Sequence, residues 1–228
     1  MTLALFALTI CAFGIGLTEF VVIGILPLLA PDFNISIATA GNLVTWYAGA
    51  VIFGAPILPA LTASLPRKTL LLLITFVFTV GNLLAAIATS YEHIVLGRIL
   101  TGLAHGTFYA IATNVAVQFV SRDKQATALA LMFSGITVAL VAGVPLGTFL
   151  ASIFSWRVAF YATTFLGAVG FLAIFFFVPA QIHYVRPKHL LKQYSILIHP
   201  KMLMAYGMTV LSFGGPFGCI PTFKREKT

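Results

Sequence analysis

Glu19 stands inside an apolar run from Leu3 to Leu29, and Arg98, His105 and Tyr109 stand inside another, from His93 to Phe119. The whole chain holds only five acidic residues. An acid in a membrane-length segment is costly, so it marks a function or a partner. Burial favours the neutral form of an acid and a nearby cation favours the charged form, so an acid held between the two can cycle with a proton gradient. Arg98, Gly102, His105 and Tyr109 follow the spacing i, i+4, i+7, i+11, which places them on one stripe of a helix. Counted from the outer helix ends at about 1.5 Å per residue, Arg98 lies roughly 8 Å deep, Glu19 roughly 15 Å and His105 roughly 18 Å. The chemistry on offer is a polar pathway in which Glu19 exchanges protons or meets a solute and Arg98 sets its charge. Plainer readings stand beside it. Arg98 at that depth can snorkel to the outer interface, and His105 can be a hydrogen-bonded packing residue.

The elements that position these side chains follow from composition. Hydrophobic residues form 60% of the 228-residue chain and charged residues 8%, far from the soluble average. Such a chain cannot cover a globular surface with polar groups, so the class is an all-α polytopic membrane protein facing lipid. Long continuous apolar segments exclude the alternation of a β-barrel. Six spans are expected at Leu3–Leu29, Ala38–Ser64, Thr69–Ala88, His93–Phe119, Gln125–Ala151 and Val158–Val178, with a seventh apolar stretch at Met202–Phe223. The first run lacks a basic n-region and a small-x-small cleavage site, so it is expected to stay as a helix.

The net charge of +8 does not imply nucleic acid, because the bases occupy short gaps between spans. Arg67, Lys68, Arg122, Lys124 and the bases of the segment after the sixth span fall on one side, and Asp32, Glu92 and Arg157 on the other. That asymmetry predicts a cytoplasmic N-terminus in the cell (inner) membrane. The domains expected are a six-helix unit over 1–179, a basic amphipathic linker over 180–201, and a partial seventh helix with a basic tail over 202–228. Cys11 and Cys219 form no metal spacing and no disulfide framework, and no cofactor is implied.

Two spans carry packing signals. Gly102 and Gly106 make a GxxxG pair that permits close helix approach. Gly135, Ala139, Gly143 and Gly147 recur every four residues in the fifth span, where Pro145 removes a backbone donor and bends the helix. A smooth, kinked helix suits a gate; kinked packing without gating is the simpler alternative.

The Arg98, Gly102, Gly106 pattern and the run Gly143-Val144-Pro145-Leu146-Gly147 resemble the fourth- and fifth-helix motifs of the major facilitator superfamily. The resemblance is to its drug:proton antiporter and arabinose-efflux-permease-like branch. Gly14, Gly16, the TEF of Thr18–Phe20, Pro27 and the SWR of Ser155–Arg157 are similar to the same branch, so the likeness runs from about Met1 to Pro179. It implies a role for the arginine in proton coupling and for the fifth-helix motif in export. The loop between the second and third spans departs from the family's G-x-x-x-D-R-x-G-R-K. Pro59, Ala63, Ser64 and Pro66 replace its glycines, aspartate and first arginine, and only Arg67 and Lys68 remain.

The superfamily fold has two six-helix halves with substrate held between them near the midplane. The resemblance thus implies the N-terminal half of an efflux transporter that exports a sugar, nucleoside or drug in exchange for protons by alternating access. Its partners would be the bilayer, protons, a small-molecule solute, and a second copy or a missing C-terminal half. Two other readings stay open, a non-transporting remnant of such a carrier and a half-transporter acting as a dimer. An enzyme is not expected, since no nucleophile–base set or paired carboxylates appear.

Overall fold

A backbone in hydrocarbon must satisfy its own polar groups, so long apolar segments become helices. A computed structural model describes residues 2–181 together with Pro200 and Met204. Among these residues six helical spans are long and apolar enough to cross a membrane, and no strand occurs. The helices are α1 (Thr2–Asp32), α2 (Ile37–Leu61), α3 (Arg67–Ala86), α4 (Tyr91–Ala116), α5 (Gln125–Val138), α6 (Val144–Ile153) and α7 (Arg157–Phe177). A π-helical turn, Ala139–Gly143, joins α5 and α6 into one fifth span. All seven lie in the first of the chain's two units, Met1–Val185. Of the expected linker and seventh stretch, all but 180, 181, 200 and 204 lie outside the described residues, as does Cys219.

The six expected spans are present with ends moved by a few residues. α1 runs past Pro27 and Pro31 and stops where Asn34 adopts a left-handed φ of 52°. There the amides of Asn34 and Ile35 donate back to the carbonyls of Pro31 and Ala30, so the two prolines do not end the helix. α2 begins earlier than expected because Ser36 caps it, accepting from the Thr39 amide at 3.0 Å. It ends at Leu61 rather than Ser64, and Pro56 and Pro59 lie inside it. Ser90 caps α4 in the same way, with Glu92 in the first turn where the helix dipole favours an acid.

The helices pack in series, α2 on α4, α4 on α3, α3 on α7, α7 on α1 and α1 on α5, with α1 also touching α2. α1 is the most enclosed span, while α2 and the fifth span are the least. Buried apolar side chains form two layers. One gathers Leu5, Leu8, Leu70, Leu71, Phe108 and Met132; the other gathers Val21, Ile25, Leu43, Ile94, Trp156 and Phe160. Cys11 is a buried free thiol in the first layer, where it packs as a small apolar core residue.

Close approach explains the glycines. A Cβ on Gly102 would stand 2.5 Å from the Tyr47 carbonyl oxygen, and one on Gly106 would stand 2.5 Å from that of Val51. Backbone cannot yield there, so only glycine permits the α2–α4 distance. Gly135 meets the Thr9 carbonyl of α1, Gly143 faces Leu17 and Phe13, and Gly147 faces Val21. The bend expected at Pro145 takes the form of the π turn one turn earlier. The Val144 amide bonds the Ala139 carbonyl five residues back, and the wider turn relieves the clash that a proline ring imposes on the preceding turn.

The ends of the bundle carry two charge contacts. At one end the Lys68 ammonium donates to the Phe175 carbonyl at 2.7 Å and lies over that ring at 5.6 Å. A cation there complements the C-terminal end of α7, so Lys68 holds a structural place. At the other end Asp32 accepts from the Trp156 indole at 2.7 Å and from Arg157 at 3.2 Å. Arg157 also donates to the Ala88 carbonyl at 3.0 Å, which ties the ends of α1 and α3 to the start of α7. Trp156 is buried. Asp32→Ala should therefore lower stability by about 1–2 kcal/mol, mostly by orphaning the indole N–H. Thermal unfolding in detergent checks this, and an unchanged midpoint would refute it.

Candidate functional site

Between the two apolar layers lies a polar one. Thr18 of α1 and Thr163 of α7 both donate to the Asn82 side-chain oxygen of α3, at 3.2 and 2.9 Å, and all three are buried. Asn82 completes its bonding by donating to the Phe78 carbonyl at 3.0 Å. A satisfied buried polar network fixes the register of three helices.

Arg98 of α4 sits beside this network and is 1% exposed. It does not reach the outer interface as a snorkelling arginine would, because α1 and α2 cover it. Its guanidinium donates to the Thr18 carbonyl at 2.9 Å and to that of Leu43 at 3.5 Å. It also lies 3.8 Å from the centroid of the Tyr47 ring. Nη2 is buried and, among the described residues, has no hydrogen-bond partner. Among the described residues no carboxylate lies within 4.0 Å of it. The cation is held by backbone dipoles and a π-face rather than by an acid.

Two turns along, the stripe reaches His105. Its Nδ1 is 2.7 Å from the Tyr47 hydroxyl and 4.0 Å from a carboxylate oxygen of Glu19. The Glu19 side chain is 34% exposed and that of His105 14%. Glu19 is thus the open member of the set and Arg98 the sealed one. Tyr109 donates to the Ala12 carbonyl at 3.4 Å, meets the His105 ring edge-on at 5.1 Å, and stacks on Phe133 of α5 at 5.5 Å. Tyr47, His105, Tyr109 and Phe133 form a continuous ladder of rings across α2, α4 and α5.

The residues Glu19, Arg98, His105 and Tyr109 are therefore gathered into one cluster. Gly102 and Gly106 lie on the α4 face toward α2, and set how near Tyr47 comes. Gly135, Gly143, Pro145 and Gly147 lie along the fifth span, apart from the ionisable cluster. Arg67 and Lys68 lie at the start of α3, in a different part of the molecule. Sequence reading missed Tyr47 and Asn82. Asn82 had a signal, being an amide in the apolar run of α3; Tyr47 had none beyond its type.

Six apolar spans packed around an ionisable cluster define a polytopic helical membrane protein. The chain belongs to the Major Facilitator Superfamily, whose family model matches residues 8–228. It is 41% identical over 213 residues to the inner membrane transport protein YdhP of Escherichia coli (strain K12), covering 93% of this chain and 54% of that protein. It is 38% identical over 162 residues to a chloramphenicol resistance protein of Streptomyces lividans, covering 71% of this chain and 41% of that one. A crystal structure of a peptide transporter, POT, in complex with sulfate shares the fold, with a TM-score of 0.65 at 14% identity over 93% of this chain and 46% of that one. The chain spans about half the length of the curated relatives it matches.

Proposed function

We propose that this chain is half of a proton-coupled exporter of small organic solutes, and that Glu19 is the group that takes up and releases the proton. One observation carries this reading. Among the described residues Glu19 is the acid set in the interior of the bundle; Asp32, Glu92 and Asp123 stand at helix ends. It is partly open, 4.0 Å from His105 and on the same cluster as the sealed Arg98. An acid so placed is retained for work rather than for stability.

Neutralising Glu19 removes a charge from the face on which a second six-helix half would close, and this biases the pair between its inward-open and outward-open states. The fifth span acts as the gate in this reading, since its π turn and Pro145 sit where it slides on α1. The outer end of the aromatic ladder, Phe133, offers exposed flat apolar surface, which suits amphipathic or ring-bearing solutes. The similarity to a chloramphenicol resistance protein supports a drug among them. The second half is a second copy or the C-terminal half that completes such a carrier, the N-terminus faces the cytoplasm by the charge of the loops, and the membrane is the inner one.

The test is flux in liposomes reconstituted with the chain under an imposed pH gradient, with labelled chloramphenicol, a pentose and a nucleoside as probes. Gradient-driven movement of at least one probe is expected, falling to the level of empty liposomes in Glu19→Gln. Full activity in that variant would remove Glu19 from the coupling step. No flux from the well-folded wild-type chain would show that it does not transport these solutes on its own.

A further inference from the structure

A groove of about 250 Å³ lies between α1, the fifth span and α7, lined by Phe6, Ile10, Phe13, Ser134, Val138 and Leu166 among others. None of its lining residues belongs to the ionisable cluster. Phe133 reaches that cluster through Tyr109, and Val138, five positions on, stands about 140° from it around the helix. The groove therefore opens on the opposite flank of the fifth span. Phe6 is 47% exposed and Val138 53%. An open apolar slot on the flank of a membrane-spanning bundle faces hydrocarbon. Its hydroxyls are already committed: Thr9 donates to the Leu5 and Leu131 carbonyls at 3.0 and 3.2 Å, and Ser134 donates to that of Leu131 at 2.6 Å. No side-chain donor is left over for water or a polar solute, so the slot suits an alkyl chain.

A charge stands at one end of the same face. Lys124, Thr127, Leu131, Ser134 and Val138 follow the spacing i, i+3, i+7, i+10, i+14, which places them on one side of the fifth span. Lys124 and Thr127 are exposed. From Lys124 to Ser134 is about 15 Å of helix, and one leaflet of a roughly 30 Å hydrocarbon core has the same depth. With Ser134 at mid-membrane, the Lys124 ammonium stands at the level of the headgroups. Arg122 and Asp123 share its turn, which leaves that turn with a net positive charge.

We propose that this groove holds one acyl chain of an anionic phospholipid from the leaflet at the Lys124 end, with Lys124 taking the phosphate. The assignment goes beyond the transport reading and stands whether or not the chain carries a solute. A slot of this volume is too narrow for a helix, whose diameter with side chains is about 10–12 Å, whereas a single alkyl chain enters it. The headgroup is anionic because its charge meets the exposed ammonium, and one such cation near the membrane surface favours an anionic over a neutral lipid by about 5-fold. The lodged chain lies beside Gly135, which also lines the groove and faces the Thr9 carbonyl of α1. It therefore braces α1 and the fifth span at their closest approach.

The test is photolabelling of the full chain in nanodiscs of mixed phosphatidylglycerol and phosphatidylcholine, one of the two carrying a diazirine midway along an acyl chain. The phosphatidylglycerol probe is expected to label the groove residues about 5-fold more than the phosphatidylcholine probe does. At Phe76 and Phe176, exposed on α3 and α7, the two probes should label alike. Lys124→Gln should remove the difference at the groove, and Val138→Trp, which fills the slot, should lower labelling of Phe6, Ile10 and Phe13 by both probes. Equal labelling of the groove by both probes in the wild type would make it part of an unselective lipid shell and overturn the proposal. A groove left unlabelled while Phe76 is labelled would also overturn it, since protein then covers the slot, from residues 182–228 or from a second copy. Should Val138→Trp fail to fold, Lys124→Gln, a change at an exposed position, decides: an unchanged preference refutes the phosphate contact.

Discussion

Replacing Arg98 with methionine should leave the bundle as stable as the wild type or more stable, and should abolish proton-driven transport. Among the described residues the buried guanidinium has no carboxylate partner, and Nη2 has no hydrogen bond. Two carbonyls and a ring face do not repay the full desolvation of a cation, and apolar residues of similar volume replace buried charges with gains of about 1–4 kcal/mol in other proteins. Methionine is long and flexible enough to fill the slot between Thr18, Leu43 and Tyr47. Alanine is the wrong probe, since it opens a cavity and mixes packing with charge. Thermal unfolding and gradient-driven flux, measured on one preparation, separate the two effects. A methionine variant that unfolds would make Arg98 a structural residue, and one that transports normally would remove it from the mechanism.

Gly106→Leu should have the largest effect on stability. Even its Cβ would lie 2.5 Å from the Val51 carbonyl oxygen and 2.7 Å from the Ala55 amide nitrogen. Both atoms belong to the α2 backbone, so α2 and α4 must separate. Overpacking against side chains costs about 1–3 kcal/mol and the rigid backbone here puts the loss at the upper end or beyond. The Thr107 bond to the Gly54 carbonyl, 3.1 Å, should break with it, as should the approach of Tyr47 to His105. Gly49→Ala is the control, because a Cβ there meets nothing within 4 Å. Chemical unfolding in mixed micelles compares them, and equal stability of the two variants would refute the close-contact account.

These expectations draw unequally on what the sequence discloses. Hydropathy alone marks the six spans, because the bilayer imposes one length and one backbone solution on each. The stripe of Arg98, His105 and Tyr109 is readable for a similar reason, since residues on one helix obey one period. Tyr47 does not obey it. It lies 58 positions from His105 on another helix, and only the approach of α4 to α2 makes it a partner. Nor does the sequence say which way Arg98 turns. A depth of a few residues fits both the interface and the interior, and what decides is the pair of carbonyls offered by α1 and α2.

The fifth span shows a signal that is present but easily misread. Small residues at 135, 139, 143 and 147 recur every four positions, while an α-helix returns every 3.6, so such a row drifts by about 40° at each step. The π turn over Ala139–Gly143 widens the helix where that drift would carry Gly143 and Gly147 away from α1. Both still face it, against Leu17 and Val21. The strict repeat of four thus encodes the π turn, whereas Pro145 alone announces only a bend.

The order of synthesis gives the α1–α5 contact one further meaning. The hydroxyl of Thr9 bonds the carbonyl of Leu131, which leaves the ribosome 122 residues later. At roughly 5–20 residues per second, α1 waits roughly 6–24 s for the surface on which it comes to rest. The acid does not share that wait, because His105 of α4, its neighbour at 4.0 Å, is made before α5. The ionisable cluster can therefore close before the fifth span arrives to cover α1.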